Sequence, residues 1–487
     1  MVDSIRVAYK LTTLQCIDEG DGSGAAEPYM WTVYFKVDGD TVVLDNNLML
    51  SGTATVVGTP GNHGDLPDDV DAGETVSIPS SLGSFATTLR PIPTPFPGVT
   101  AGGMVGCIAI VMEEDSTPDQ DIANGHAALN QELQNQLDAL IPTLGISNPS
   151  PTDADIEAIQ TAVQTAVEDA VAEGVDFWDF LGGLFGNLQD DQIGTAKWIF
   201  SHDQLDAHAG SSFPISQHWS NEGSWTLHGN VKVDKKLVAG ISRSGDWGNI
   251  FLYGRTTSDF LAESQQLFDK DGLRIVHLET WKDHKNVRRW ASIHRTGNWG
   301  SSLQVGLSTA AFVSQVATNH EKGMELLRMV NWVDDKSPLW AGIWRTGLDY
   351  TEFHHGLDTA AFLQLTQDLF DNQDLRMTQA IHYEDAGQPM WAGIYTKGDW
   401  AHRFYIRNDL SSFLSTAQDF FDKDKLRIVD FETWIEGGAR RYAGISRSGD
   451  WASRLFVHRG EETFLKEAQE AFDKDGLRLI DVDVYEA

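Results

Sequence analysis

Arginines and aromatic rings recur along the second half of this chain with a spacing that could build a binding face. Arg243, Arg295, Arg345 and Arg447 occupy one position of a repeated phrase, with Lys397 one place later in the fourth copy. Trp247, Trp299, Tyr350, Trp400 and Trp451 follow closely. A guanidinium over an indole face is a favourable contact, so one reading is a ring of Arg and Trp that takes an acidic or sugar ligand. The plainer expectation is that each arginine hydrogen-bonds the acidic turn of a neighbouring unit. A second set of candidates is acidic. Asp18, Glu19 and Asp21 lie in a glycine-rich turn between two predicted strands; Glu113, Glu114 and Asp115 end another strand, with Asp119 and Asp121 just beyond. If those turns share one end of a sandwich, hard oxygen ligands converge there as Ca²⁺ requires, which makes Asp18, Glu19, Asp21, Glu114 and Asp115 the candidate metal ligands and Ca²⁺ the one implied cofactor. Solvated loop carboxylates are the alternative.

The elements that position the first set repeat. Leu237 to Gly245, Trp290 to Gly297, Trp340 to Gly347, Trp391 to Gly398 and Tyr442 to Gly449 are nearly the same words. Their final glycines, 245, 297, 347, 398 and 449, are 52, 50, 51 and 51 residues apart, and Phe260, Phe312, Phe362, Phe413 and Phe464 keep the same steps. Such a period means tandem units that share one core. In the clearest copy, Leu273–Trp281, Arg289–Arg295 and Ser302–Leu307 read as strands. A helix follows through Phe312, capped by Ser308 or Thr309. The alanines at 239, 291, 341, 392 and 443 imply something large packed against that strand. The final glycines suit a turn with positive φ, and the aromatic residues after them cover the turn. Phe268 to Arg274, with counterparts at 370–376, 421–427 and 472–478, reads as a helix end with Gly272 and Gly476 as left-handed stops. It is not an EF-hand, because Arg274 and Thr280 stand where the glycine and glutamate should be.

The order Ala-Ser-Ile-His-Arg at 291–295 with Gly306-Leu307-Ser308, and Ala-Gly-Ile-Trp-Arg at 341–345 with Gly356-Leu357-Asp358, resembles a bacterial tandem repeat family. That family's repeats also occur in the non-catalytic N-terminal domain of fungal polyglycine hydrolases. The resemblance covers residues 236–487. It implies an accessory repeat domain without its enzyme, because no Ser-x-x-Lys nucleophile motif occurs in this chain.

Upstream, residues 5–17 and 29–37 alternate as strands, and more strand-like runs follow at 53–57, 75–78, 85–89 and 104–112. Pro91, Pro93, Pro95 and Pro97 favour an extended loop. Short strands at this spacing suggest a β-sandwich. Leu129, Leu133, Leu137 and Leu140 form one helical stripe. Ile156, Ile159, Val163, Val167 and Val171 form another, with Thr152 as N-cap and Gly174 as stop, which makes a helical hairpin. The aromatic cluster 177–185 is flanked by Asp176, Asp179, Asp190 and Asp191 and no bases, so it is expected to pack internally rather than dock on a membrane. Residues 193–200 and 225–233 read as strands, the latter leading into the first repeat.

The fold expectation is therefore α+β. A β-sandwich of C2-like layout (1–120 and 190–235) carries a helical-hairpin insertion (121–189). Five βββα repeats of about 51 residues follow, near 236–272, 273–325, 326–374, 375–425 and 426–476, with a closing strand at 477–485. A closed toroid is favoured over an open solenoid, because a spare last strand can cover an exposed edge.

Formal net charge is −35. Residues 1–200 carry 5 Lys+Arg against 30 Asp+Glu, or −25, and the remainder 31 against 41, or −10. Such a field repels nucleic acid. Two cysteines, Cys16 and Cys107, make no disulfide scaffold. No transmembrane run and no secretory leader are expected, so the expected compartment is cytoplasmic, with leaderless export as the alternative. No Gly-x-Ser-x-Gly, phosphate-binding loop or zincin motif appears, and His354-His355 point to opposite faces of a strand. The functional expectation is a non-catalytic binding or scaffold protein with an unidentified protein, peptide or glycan ligand. The alternative is a hydrolase, peptidase-like or glycosidase-like, built from dispersed His, Asp and Glu.

Overall fold

The computed structural model describes all residues except 1, 21–24, 62, 97–98, 115–116, 144–190, 221–222, 284–285 and 335–336. The fold is mixed α+β and mostly strand, in small antiparallel sheets of which, among the described residues, none closes into a barrel. The chain divides into two compact units, residues 1–236 with 486–487, and 237–485.

The first unit has two sheets and a helix. Ile5–Asp18 pairs antiparallel with Ser224–Asp234 along nearly its whole length, and with Thr75–Ser77 and Ser84–Leu89 on its other edge. Pro28–Val37 pairs with Met104–Glu113, and every residue of both strands is buried. Two-sided burial explains why these strands are so continuously apolar. Met30, Tyr34, Val105, Cys107 and Val111 enter the core shared with the other sheet, while Trp31, Val33, Phe35, Ile108 and Ile110 face a second core. The helix Asp119–Leu140 closes that second core with Ile122, Leu129, Leu133 and Leu137. The stripe read from the leucines is thus a helix over the sandwich. The second stripe (156–171), its cap Thr152, its stop Gly174 and the aromatic cluster 177–185 lie outside the described residues. One expectation fails here: Ser224–Asp234 is a sandwich strand, paired on both sides within the first unit, and does not lead the first repeat. Lys236–Ser244 takes that place.

The second unit contains, among the described residues, five three-stranded antiparallel sheets. Each is shared between consecutive repeats of the sequence. The strand before a helix, such as Asn249–Thr256, and the strand after it, Leu273–Lys282, both pair with the central strand Arg288–Thr296 of the next copy. The same pairing joins Ser301–Ser308 and Glu325–Asp334 to Ser337–Arg345, Thr351–Leu357 and Leu375–Asp385 to Gln388–Lys397, and His402–Arg407 and Leu426–Glu436 to Ala439–Ser448. In the remaining sheet, Lys236–Ser244 lies between Ser453–Gly460 and Leu477–Glu486.

The periodic residues have local reasons. Phe260, Phe312, Phe362, Phe413 and Phe464 are fully buried. They press on the central strands: a Cβ at Gly240 would sit 2.7 Å from the Phe464 ring, and one at Gly342 2.8 Å from the Phe312 ring. The alanines beside those glycines have no exposed surface. Thr256, Ser308, Asp358 and Asp409 cap four helices by accepting from the backbone N–H three residues on. Gly272 and Gly476 end their helices left-handed, with φ of 63° and 65°, and so do Asp374 and Lys425 at 58° and 57°.

Candidate functional site

Each repeated turn carries the aromatic residue two or three places after its final glycine, and that placement decides what the glycine is for. A Cβ at Gly245, Gly297, Gly398 or Gly449 would lie 1.7, 1.8, 1.9 and 1.7 Å from the ring of Trp247, Trp299, Trp400 or Trp451. Those four glycines are required by contact with the indole, not by positive φ as expected. Only Gly347 has the left-handed conformation, at φ 73°, and a Cβ there would meet nothing within 4 Å, because Tyr350 leaves the space open.

The arginines also differ from expectation. They do not bond acidic turns; they stack between tryptophans. Arg447 lies over Trp400 and Trp451, at 5.1 Å from each centroid. Arg243 lies over Trp451 and Trp247, again at 5.1 Å. Arg295 lies over Trp247 at 5.6 Å and Trp299 at 5.0 Å, and Arg345 over Trp299 at 4.2 Å. The eight side chains therefore alternate in one arc, running from the fourth copy through the fifth and first to the third. Burial lowers the pKa of all four arginines; Arg295, crowded also by Arg345 and Arg243, is pushed down to about 10. Among the described residues none of the four is ion-paired, and Nε of Arg243 and of Arg447 is buried without an acceptor.

A different set of arginines holds the turns. Arg274, Arg376 and Arg478 donate through Nε to the carbonyls of Trp299, Trp400 and Trp247, at 2.6, 2.7 and 2.6 Å, and Arg427 does the same to Trp451. Hydroxyls latch the same turns. Gly248, Gly300, Ala401 and Ala452 donate backbone N–H to Thr296, Thr346, Ser448 and Ser244. The third turn departs from both patterns. Glu325 stands where the others have arginine and accepts from the N–H and hydroxyl of Thr351. Lys397 replaces the latch hydroxyl, and Thr396 donates instead to the Tyr350 carbonyl.

The arc borders a cavity of about 360 Å³. Arg243, Trp247, Arg295, Lys397, Trp400 and Arg447, all expected ligand contacts, line it. Arg345, Trp299 and Trp451 belong to the arc behind the lining; Tyr350 is exposed and borders a shallow cleft beside Glu352 and Lys397 instead. Residues that were not expected complete the wall. Val276, Leu327, Thr378, Val429 and Ile480 come from the five strands that follow the helices, and Asp349 is the carboxylate of the lining. Their numbers rise by 51 at each step, a signal that was legible in the repeat but hidden by their ordinary apolar character.

Beneath the cavity the same five strands exchange polar contacts. Gln379 donates to the Met329 carbonyl and accepts its N–H, at 2.9 and 2.8 Å. Asp430 accepts from Ala380 N–H and Asp481 from Phe431 N–H, both at 3.0 Å. His277 Nε2 lies 2.8 Å from the Val482 carbonyl. Arg328 pairs with Asp430 and reaches Asp481 at 3.8 Å. Burial, with Arg328 nearby, pushes His277 down to about 3, so it is neutral. Burial raises Asp483 to about 7 against the pull of Arg440.

The acidic end of the first unit is partly outside the described residues, since Asp21 and Asp115 are not among them. The Cys16 thiol is pushed up to about 11, first by burial and then by the negative charge of Glu19, Asp18, Glu113 and Glu74. Glu114 and Asp119 approach His63 Nδ1 at 3.2 Å each. Among the described residues no group of three or more side chains is arranged to hold a metal. His354 and His355 diverge as expected: His354 bonds Glu352 at 2.9 Å, and His355 stacks on Phe353. Among the described residues no helix is long and apolar enough to cross a membrane.

No family model matches the chain, and no curated protein does. Among solved structures, human GIVD cytosolic phospholipase A2 matches over 87% of this chain and 37% of that chain, at 7% identity and a TM-score of 0.20. The same enzyme in complex with methyl gamma-linolenyl fluorophosphonate matches over 72% and 34%, at 6% identity and a TM-score of 0.18. Likeness at that level carries no argument about fold or function, and this chain spans 37% and 34% of the length of those two chains.

Proposed function

We propose that this chain is a non-catalytic binding protein whose second unit presents an anion-recognising pocket. The single observation that carries this reading is the cavity bordered by Arg243, Arg295, Arg447 and Lys397, with the arginines stacked on tryptophans and not paired to carboxylates. Desolvated cations held in a fixed arrangement favour a ligand that supplies the missing negative charge. The buried histidine and carboxylates that a hydrolase would need are engaged in bonds between strands, as at His277, Asp430 and Asp481.

The same reading takes the five sheets as a closed ring of tandem repeats, related to the repeat family it resembles. Closure is supported by Arg478 on Trp247, His277 on Val482, the Ser244 latch on Ala452, and the seat of Lys236–Ser244 between the last two strands. Calcium at the acidic end of the first unit is a separate proposal, supported by the several carboxylates, Asp18, Glu19, Glu74 and Glu113, whose charge acts on the one thiol of Cys16. A chelator that leaves the first unit's melting unchanged after millimolar Ca²⁺ dismisses it.

The test of binding is retention of the full chain on immobilised acidic peptide and acidic oligosaccharide. Retention is expected for the native chain and lost in the Arg295→Glu, Arg447→Glu variant, with circular dichroism checking that the variant folds. Turnover of a peptide or glycoside that a single substitution in the pocket abolishes would overturn the non-catalytic reading.

A further inference from the structure

This inference rests on the binding reading and narrows it to one class of ligand. We propose that the pocket takes a small phosphate ester carrying at least two negative charges, gripped by the guanidinium edges of Arg243, Arg295 and Arg447 with Lys397 at its side.

Three features of the pocket lead there. The first is which part of each guanidinium is left. Indole rings take up the faces of Arg243, Arg295 and Arg447. What remains is the planar edge, whose paired N–H groups match two oxygens of an oxyanion. Nε of Arg243 and of Arg447 is buried without a protein acceptor, so the grip on a ligand falls to the terminal N–H groups of those side chains.

The second is charge and direction. The lining holds Arg243, Arg295, Arg328, Arg447 and Lys397 against the single carboxylate Asp349, and Arg328 is already paired with Asp430. A neutral sugar leaves the rest uncompensated, and one carboxylate compensates one of them. The donors come from the first, second, fourth and fifth copies of the turn, so they approach from several sides. A carboxylate offers its lone pairs in one plane; a phosphate offers oxygens around an axis and accepts from several arginines together.

The third is size and lining. The cavity, about 360 Å³, is in the range that holds one small molecule, roughly 300–1,000 Å³, and does not admit a polymer. Val276, Leu327, Val429 and Ile480 supply an apolar band, which suits the organic part of an ester. The net charge of −35 repels anions at long range, but that repulsion is screened beyond about 8 Å at physiological salt, while the contacts in the pocket are local.

The experiment uses the full chain and four probes: ADP, inorganic pyrophosphate, citrate and a hexaglutamate peptide. Binding is measured by calorimetry and by the melting midpoint of the second unit. ADP and pyrophosphate are expected to bind and raise the midpoint, ADP more strongly because it also covers the apolar band. Arg295→Gln with Arg447→Gln is expected to weaken binding at least tenfold. Lys397 is exposed, so Lys397→Ala leaves folding intact, and a several-fold loss is expected there. Binding of pyrophosphate but not ADP overturns the ester assignment. Equal or tighter binding of citrate or the peptide, no response to either phosphate, or affinities unchanged in both variants overturns the proposal. Capture of the peptide alone would do so while leaving the broader binding reading intact. Conversion of bound ADP to products would sink the non-catalytic reading and leave this site standing.

Discussion

The two units solve the same problem in opposite ways. The first stacks its apolar interior in two broad layers, one between its sheets and one under a helix, with Pro28–Val37 and Met104–Glu113 buried on both faces. The second breaks its interior into separate clusters, one near each sheet, around Phe260, Phe312, Phe362, Phe413 or Phe464. Between its sheets lie polar side chains that bond a neighbour's backbone, repeated at a separation of 50 residues. Directional bonds fix how neighbours meet, whereas apolar contacts alone would tolerate sliding.

The largest expected effect breaks that polar junction. Arg328→Met leaves Asp430 and Asp481 buried beside no cation, a loss on the order of 3–5 kcal/mol. Thermal unfolding should show the second unit's transition falling while the first unit's stays in place. Adding Asp430→Leu to Arg328→Met should recover much of the loss; no recovery would mean the pair matters for something other than its charge.

An effect of similar or smaller size comes from pH. Asp483 is pushed up to about 7, against an unfolded value near 3.8. The folded unit then keeps a proton that the unfolded chain releases, so this stabilisation is present below the unfolded value and is lost as pH rises from about 4 to 7. At most it is about 4 kcal/mol, because each tenfold change in proton affinity is worth about 1.4 kcal/mol. Stability measured by urea titration should therefore fall across that window, and Asp483→Asn should flatten the slope. An unchanged slope in the variant would assign the effect elsewhere.

The smallest effects sharpen the contrast among the turns. Gly297→Ala drives a Cβ into the Trp299 ring, an overpacking cost of about 1–3 kcal/mol that must also disturb the stack with Arg295 and Arg345. Gly347→Ala meets no atom and pays only for its left-handed backbone, about 1 kcal/mol. Quenching of tryptophan fluorescence should change in the first variant and not in the second. Equal costs in the two would contradict the different roles assigned to these glycines.

Much of the fold was legible in the sequence. The 51-residue beat located the central strands, the helix phenylalanines and the left-handed helix ends at Gly272 and Gly476, because each depends on a few residues close in sequence; it did not locate the left-handed ends at Asp374 and Lys425. Three things were not legible. Glycine in a turn does not reveal whether it serves backbone conformation or space for a ring, and at Gly245, Gly297, Gly398 and Gly449 it was space. Arginine does not reveal its partner: Arg274 and Arg478 took the turn carbonyls while Arg243 and Arg295 took indole faces, a division set by which strand each occupies. Composition also did not show that Ser224–Asp234, read as leading into the first repeat, pairs only with Ile5–Asp18 and Ser211–Trp219 among the described strands. Six of the cavity's lining residues, Arg243, Trp247, Arg295, Lys397, Trp400 and Arg447, were candidates, because aromatic and cationic side chains stand out in a repeat; others, such as Val276, Arg328 and Ile480, were missed because they sit in strands of ordinary apolar character.

The irregular third turn has one more consequence. In the closed ring proposed above, five identical sectors would offer a bound molecule five interchangeable seats, and it would be smeared among them. Tyr350, Glu325 and Lys397 make one sector unlike the rest. In the proposed binding pocket that departure would mark a front and a back, and an unsymmetrical guest would take a single preferred pose.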